Sequence, residues 1–377
     1  MKISLAILTL FLSFNVLATN LIDKKSIINV GTVDSIKVGI QQAISIYLPD
    51  SYGTENNSFP VMYIIDGDKY FLNSIAYQKT LAWQSKSPEF IVVGINIDKK
   101  KRRDLLGKKS QEFIEIFQNQ IIKYVDNNYR TNGKRMYFGW EMAGGFALDL
   151  FAQYPELIDA YFLASSTYFT KERIDRVEST LQDKKAISDF FYYTLGTVEA
   201  WSLDSHEMLS KVFTTANRAN FKWELHISPS DDHYTTPLNT LNIGLASYFY
   251  DYAPIRFYSI KEFEIFGGIN ALKTHYKRRG ESYQISTDIH SETKHYLLNQ
   301  AINENDFYYF TKLVSEFDGF IESQNYSTGF ILKIGQFYSD NKAIKEAVAL
   351  YKSELIKNPE NPKIIKELII IQEPVQN

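Results

Sequence analysis

The 377-residue chain contains no cysteine. That excludes disulfide staples, thiolate nucleophiles, thiolate metal ligands and lipid attachment through an N-terminal Cys. Neither sign of charge dominates. Against 44 Asp and Glu stand 41 Lys and Arg, leaving a formal net charge of −3, and the two signs are interspersed, so the electrostatic footprint of nucleic-acid binding is missing. Histidines number only six, and His206, His226, His275, His290 and His295 show no metal-type pairing spacing. No metal and no cofactor is expected. Long apolar runs are scarce as well. The one at the N-terminus, "MKISLAILTLFLSFNVLATN", has a Lys ahead of it and closes on Val16-Leu17-Ala18. It is short for a spanning helix and reads as a secretory signal peptide over residues 1–18. With no second such run, no membrane span is expected, and the mature chain is placed in the periplasm or outside the cell.

Aromatic residues are plentiful, with 26 Tyr and 26 Phe. They read first as core filling and half-exposed rims, with an aromatic-lined cleft as the alternative. Single cores stop growing at roughly 250–300 residues, so this length implies one large core and a smaller appendage.

Along the chain, residues 37–48 alternate in polarity and end in the turn cluster "PDSYG". "PVMYIIDGDKYF" (60–71) and "EFIVVGINID" (89–98) are continuous apolar runs, the mark of strands buried on both faces of a mostly parallel sheet. Apolar residues at 113, 114, 116, 117, 121, 122, 124 and 125 form a helical stripe. Strands at 135–138, 160–164, 190–196 and 221–227 then alternate with helices at 142–153 and around 205–217. Strand–helix alternation over about 210 residues predicts a doubly wound α/β sheet spanning residues 19–255. Beyond residue 255 only helical spacings continue. Gly335, Tyr338, Ala347, Tyr351 and Pro359 are offset as in a tetratricopeptide helix pair, so residues 256–377 are expected to form a helical, tetratricopeptide-like appendage.

One stretch, "RMYFGWEMAGGFALDLFAQYP" (135–155), is laid out as a strand, a glycine-bounded turn and a helix. In the G-x-S-x-G joint such a turn presents a nucleophilic serine; here the middle residue is Glu141. Further segments match a family in order. "YLPDSYG", "PVMYIIDGDKYF", "VGINIDKKKRRDL" with Arg103 and Asp104, "IIKYVDNNYRTNGKRMYFGW" and "SDDHYTTPLNTLNIGL" resemble the putative-esterase family of α/β-hydrolases, which includes esterase D and the enterochelin esterases. The resemblance runs from about Ile44 to Tyr250. Several members of that family also carry a short tetratricopeptide-like tail.

Carried over residue by residue, the resemblance puts His233 on the general base and Glu199 on the acid that orients it, with Asp204 as the alternative. It puts the amides of Met142 and of Gly67 or Asp68 on the oxyanion hole. A structural loop histidine and a solvated loop acid are the bland readings of His233 and Glu199. Gly139, Met142 and Gly144 pin the register on both sides of Glu141, and Ser165 and Ser166 lie at the end of the next strand, where the family also has serines. Ala143 and Gln120 depart from the family pattern too. Three readings follow. A pseudo-esterase has lost its serine and keeps a binding role, with Glu141 held by the helix dipole or paired with His233. An active hydrolase uses Glu141 as nucleophile or as base for water, with His233, on a carboxylic ester or another small substrate. A helical-repeat interaction protein binds a protein partner through its tail.

Overall fold

The computed structural model describes residues 32–38, 42–54, 56–183, 187–188 and 190–372; the signal-peptide reading of residues 1–18 lies outside them. Tertiary contacts divide the chain into two compact units, one of residues 1–79 and 89–241, the other of residues 80–88 and 242–377.

The first unit is built on an eight-stranded sheet: β1 (Thr32–Val38), β2 (Gln42–Leu48), β3 (Phe59–Ile65), β4 (Ile91–Asn96), β5 (Thr131–Trp140), β6 (Ala160–Ala164), β7 (Phe190–Gly196) and β8 (Lys222–Ser228). The strand order is β1-β2-β4-β3-β5-β6-β7-β8. β2 is antiparallel to both of its neighbours, and all other pairs are parallel. This is the mostly parallel α/β-hydrolase sheet that the apolar runs imply. The alternating stretch 37–48 turns out to be two strands, because Val38 pairs with Gln42 and the chain doubles back on itself. Alternation persists through a hairpin, so polarity alone does not mark the turn.

β3, β6 and β7 are buried along their whole length, as expected for strands covered on both faces. Aromatics fill the core in rows. Tyr63, Tyr137, Tyr161, Phe191 and Trp223 stand opposite one another on five adjacent strands. Ring centroids lie 5.6 Å apart for Tyr137–Tyr161 and 4.9 Å apart for Tyr161–Phe191. One residue further on, Phe138, Phe162 and Tyr192 form a second row, which the two-residue pleat turns to the other face.

The parallel strands are connected by helices, among them α1 (Gly67–Trp83), α2 (Lys99–Leu105), α3 (Ser110–Ile116), α4 (Lys123–Asn128), α5 (Met142–Gln153), α6 (Lys171–Asp183) and α7 (Ala200–Ala216), and α8 (Thr236–Tyr248) follows β8. Between α3 and α4, residues Phe117–Ile122 wind as a π-helix that includes Gln120. Beneath α6 an ion pair is buried: Arg173 donates to Asp149 from Nη2 at 2.7 Å and from Nε at 3.0 Å.

The second unit is helical and has its own core, in which Leu272, Tyr276, Leu297, Phe310, Ile334 and Tyr351 are among the buried side chains. Its last three helices are α14 (Thr328–Asp340), α15 (Ile344–Lys357) and α16 (Pro362–Gln372), counted after α9 (Ile260–Phe266), α10 (Gly268–Tyr283), α11 (Ser291–Asn303), α12 (Phe307–Glu316) and α13 (Phe320–Ser323). Gly335 and Tyr351 do meet as a small and a large partner across α14 and α15, since a Cβ on Gly335 would fall 2.3 Å from the Tyr351 ring. No helix among the described residues is long and apolar enough to cross a membrane.

Candidate active site

The joint after β5 is bent sharply. Glu141 has φ 56° and ψ −119°, a conformation that costs a non-glycine residue of order 1–3 kcal/mol. Surrounding bonds over-determine it. The Glu141 amide donates to Ala164 O at 3.0 Å, and its carbonyl accepts from the amides of Gly144 and Thr167, both at 3.0 Å. Helix α5 then leaves the turn against the end of β6. A Cβ at position 144 would lie 2.1 Å from Ser166 Oγ, so the glycine there is a steric requirement of the joint.

The Glu141 side chain is 31% exposed and points to Arg102, not to His233: Arg102 Nη1 donates to Glu141 Oε2 at 2.5 Å. Among the described residues no ion pair or hydrogen bond joins Glu141 to His233, so the Glu141–His233 pair considered from the sequence is not formed. Arg102 is itself anchored. Its Nε and Nη2 fork onto Asp66, at 2.8 Å to Oδ1 and 2.7 Å to Oδ2, and Nη2 also donates to Trp140 O at 3.1 Å. Asp66 directly follows β3 with φ 59° and is fully buried. Burial works against the charge on Arg102, but the bonds and fields of Asp66 and Glu141 outweigh it and hold the guanidinium above its ordinary pKa.

His233 is gripped separately. Its Nδ1 lies 2.7 Å from Glu199 Oε1. Glu199 is 2% exposed, and its Oε2 accepts from Ser165 Oγ at 2.6 Å and from the Gly196 amide at 2.8 Å. A buried carboxylate with these donors is oriented for one imidazole nitrogen. Asp204, the alternative acid, is exposed on α7, and among the described residues no hydrogen bond or ion pair joins it to His233, whose partner is Glu199. The loop that carries His233 is shaped by its two aspartates. Asp231 accepts from Ser228 Oγ at 2.5 Å and Asn239 Nδ2 at 2.6 Å. Burial would raise the Asp231 pKa, and these bonds more than reverse that, leaving it lowered. Asp232 caps the turn by accepting from the amides of Tyr234 and Thr235 at 2.8 and 3.0 Å. Trp140 ties the two halves of the site together: its Nε1 donates to His233 O at 2.8 Å, and its ring lies 5.1 Å from the imidazole.

A cleft of about 610 Å³ opens over Glu141, lined by Asp68, Lys69, Lys99, Arg102, Arg103, Trp140, Met142 and Tyr168 among others. Met142 and Gly67 are the first residues of α5 and α1, where helix amides lack an intrahelical acceptor. Asp68 and Met142 reach the cleft wall, whereas Gly67 is buried against Gly94. Sequence reasoning did not single out Arg102. It sits in the run "KKKRR", immediately before Arg103 and Asp104, the residues that carried the resemblance there. The five acids and bases of interest thus form two clusters, Asp66–Arg102–Glu141 and Glu199–His233, on either side of Trp140.

Such a sheet, with a sharp strand-to-helix turn and an acid-held histidine beyond the last parallel strand, defines the α/β-hydrolase fold. Residues 35–191 match the family model described as Putative esterase. The uncharacterised protein YbbA of Bacillus subtilis (strain 168) is 22% identical over 163 residues, 39% of this chain and 65% of that protein, so the chain spans slightly less than two thirds of that relative. Among solved structures, an IroE-like serine hydrolase from Shewanella oneidensis superposes with a TM-score of 0.58 at 15% identity, over 76% of this chain and all of the other. An uncharacterised protein from Capnocytophaga ochracea gives 0.66 at 15% identity, over 91% of this chain and 99% of its own. The BES protein from Bacillus cereus gives 0.52 at 18% identity, over 60% and 97%. At these identities the likeness is one of fold.

Proposed function

We propose that the chain is an exported pseudo-esterase, a hydrolase fold that has exchanged ester cleavage for the binding of a small molecule in the cleft over Glu141. The observation that carries this reading is the Arg102–Glu141 bond. Ester cleavage at this turn needs a free hydroxyl that can be deprotonated by His233 and attack a carbonyl. The residue present is a carboxylate, a weaker nucleophile that would give a mixed anhydride, and its Oε2 is held by a guanidinium. A displacement of about 1 Å already costs on the order of a hundredfold in rate.

One observation favours the alternative of a working hydrolase: the Glu199–His233 pair is fully assembled. In that reading Glu141 acts with His233 on an ester or another small substrate. Hydrolysis of p-nitrophenyl acetate by the purified protein and by Glu141→Ser separates the two. The expected result is background turnover by the wild type and a measurable gain in the serine variant, which would find the base already oriented. Wild-type turnover that disappears in Glu141→Gln would refute the pseudo-esterase. Partner binding by the helical unit has Ile356, Ile365 and Ile369 in its favour, all exposed; loss of a co-purifying protein in Ile365→Lys/Ile369→Lys is its test. Export is tested by the N-terminus of the mature protein, expected at residue 19.

A further inference from the structure

The walls of the cleft over Glu141 are unequal in charge. Lys69, Lys99, Arg102 and Arg103 line it, against Asp68 and Glu141. Arg102 is consumed by Asp66 and Glu141, and Lys69 lies 3.6 Å from Asp66. Lys99 and Arg103 differ: among the described residues neither forms an ion pair with a carboxylate. Two uncommitted cations therefore face the same cavity in a chain whose formal net charge is −3. The adjoining cavity, about 630 Å³, shares Lys99 and adds Lys100, Lys101 and Lys109, there balanced by Asp98, Asp104 and Glu112.

A second observation concerns Tyr168. It lines the cleft, is 39% exposed, and has φ 62°, an uncommon backbone conformation for a bulky residue. The buried Arg173 holds it there by donating from Nη1 to Tyr168 O at 3.2 Å, with Asp149 fixing the guanidinium from below. Arg103 lies within electrostatic reach of the Tyr168 hydroxyl. Strained residues held by their surroundings cluster at ligand sites, and here the strain sets an aromatic ring and a hydroxyl beside a free guanidinium. Ile97, Met142 and Trp140 supply apolar surface in the same cavity.

We propose that the cleft binds a small organic acid, its carboxylate taken by Arg103 and Lys99 and its apolar or aromatic body lying against Tyr168 and Trp140. The proposal rests on the ligand-binding half of the function proposed above. Glu141, neutralised by Arg102, then blocks the deeper guanidinium, so that the acid group is held at the outer pair.

Titration of the full-length protein with phthalate, followed calorimetrically, tests it, with phthalamide as the neutral analogue and inorganic phosphate as the charge without a body. Phthalate is expected to saturate a single site. Binding should weaken about tenfold or more in Lys99→Gln/Arg103→Gln, a variant of exposed residues whose folding is checked by circular dichroism, and should weaken again in roughly 0.5 M NaCl. Phthalamide should not bind. Equal binding of phthalamide, an unchanged affinity in the double variant, phosphate binding as tightly as phthalate, or no phthalate binding would each overturn the proposal. Ester turnover is read on a different substrate, so an active wild type would remove the pseudo-esterase reading without touching this one.

Discussion

Replacing Arg102 by Met removes one guanidinium from between two carboxylates, and the structure says which of them suffers. Asp66 is 1% exposed and accepts three bonds from Arg102; Glu141 is 31% exposed and accepts one. Stripping the partner from a buried charge costs about 3–5 kcal/mol. Losing a partly solvated pair costs about 1 kcal/mol or less. Arg102→Met should therefore destabilise the sheet unit several times more than Glu141→Gln, which keeps the Arg102–Asp66 fork. Because the chain has two compact units, whole-chain unfolding does not define one free energy, and the assay needs a unit-specific signal. Of the four tryptophans only Trp83 lies in the helical unit, so a Trp83→Phe background makes fluorescence report the sheet unit alone. With a urea slope of roughly 2–3 kcal/mol per molar, Arg102→Met should lower the midpoint by about 1–2 M, and adding Asp66→Asn should restore more than half of the loss. Equal small shifts for Arg102→Met and Glu141→Gln would refute the reasoning, since Asp66 would then be accommodated without the guanidinium.

Two further outcomes follow from the same geometry. His206 is buried against Phe169, with ring centroids 4.6 Å apart, and burial pushes its pKa down to about 4 from 6.5. The unfolded chain takes up this proton first, so the contribution is complete above pH 6.5 and is lost as pH falls toward 4. Its size is about 3 kcal/mol, and His206→Phe should flatten that part of the urea-midpoint profile. Gly196→Ala would bring a Cβ to 2.3 Å from Asp231 O, displacing the loop of His233 from Glu199. A loss of about 1–3 kcal/mol is expected, together with loss of any esterase activity gained by Glu141→Ser when the two changes are combined.

What the sequence made legible was what short-range sterics and polarity control. The continuous apolar runs at 60–65 and 190–196 became fully buried parallel strands, and Gly139 and Gly144 marked the turn because its packing tolerates no larger side chain at 144. His233 and Glu199 were found through the resemblance, 34 residues apart in the chain and bonded in the structure. Arg102 escaped because nothing local distinguishes it from its four cationic neighbours; its importance comes from Asp66 and Glu141, which are distant in sequence. Val38 and Gln42 escaped for the opposite reason, since a hairpin can keep the same alternation on both arms.

The torsion angles of residue 141 have a consequence of their own. The bend belongs to the main chain, so serine and glutamate bear the same distortion, and only glycine would relax it. A glycine at this position would carry the bend without strain and make the joint sturdier. This chain instead carries a glutamate on the contorted turn, and a heat-stability gain in Glu141→Gly would measure how much sturdiness that residue displaces.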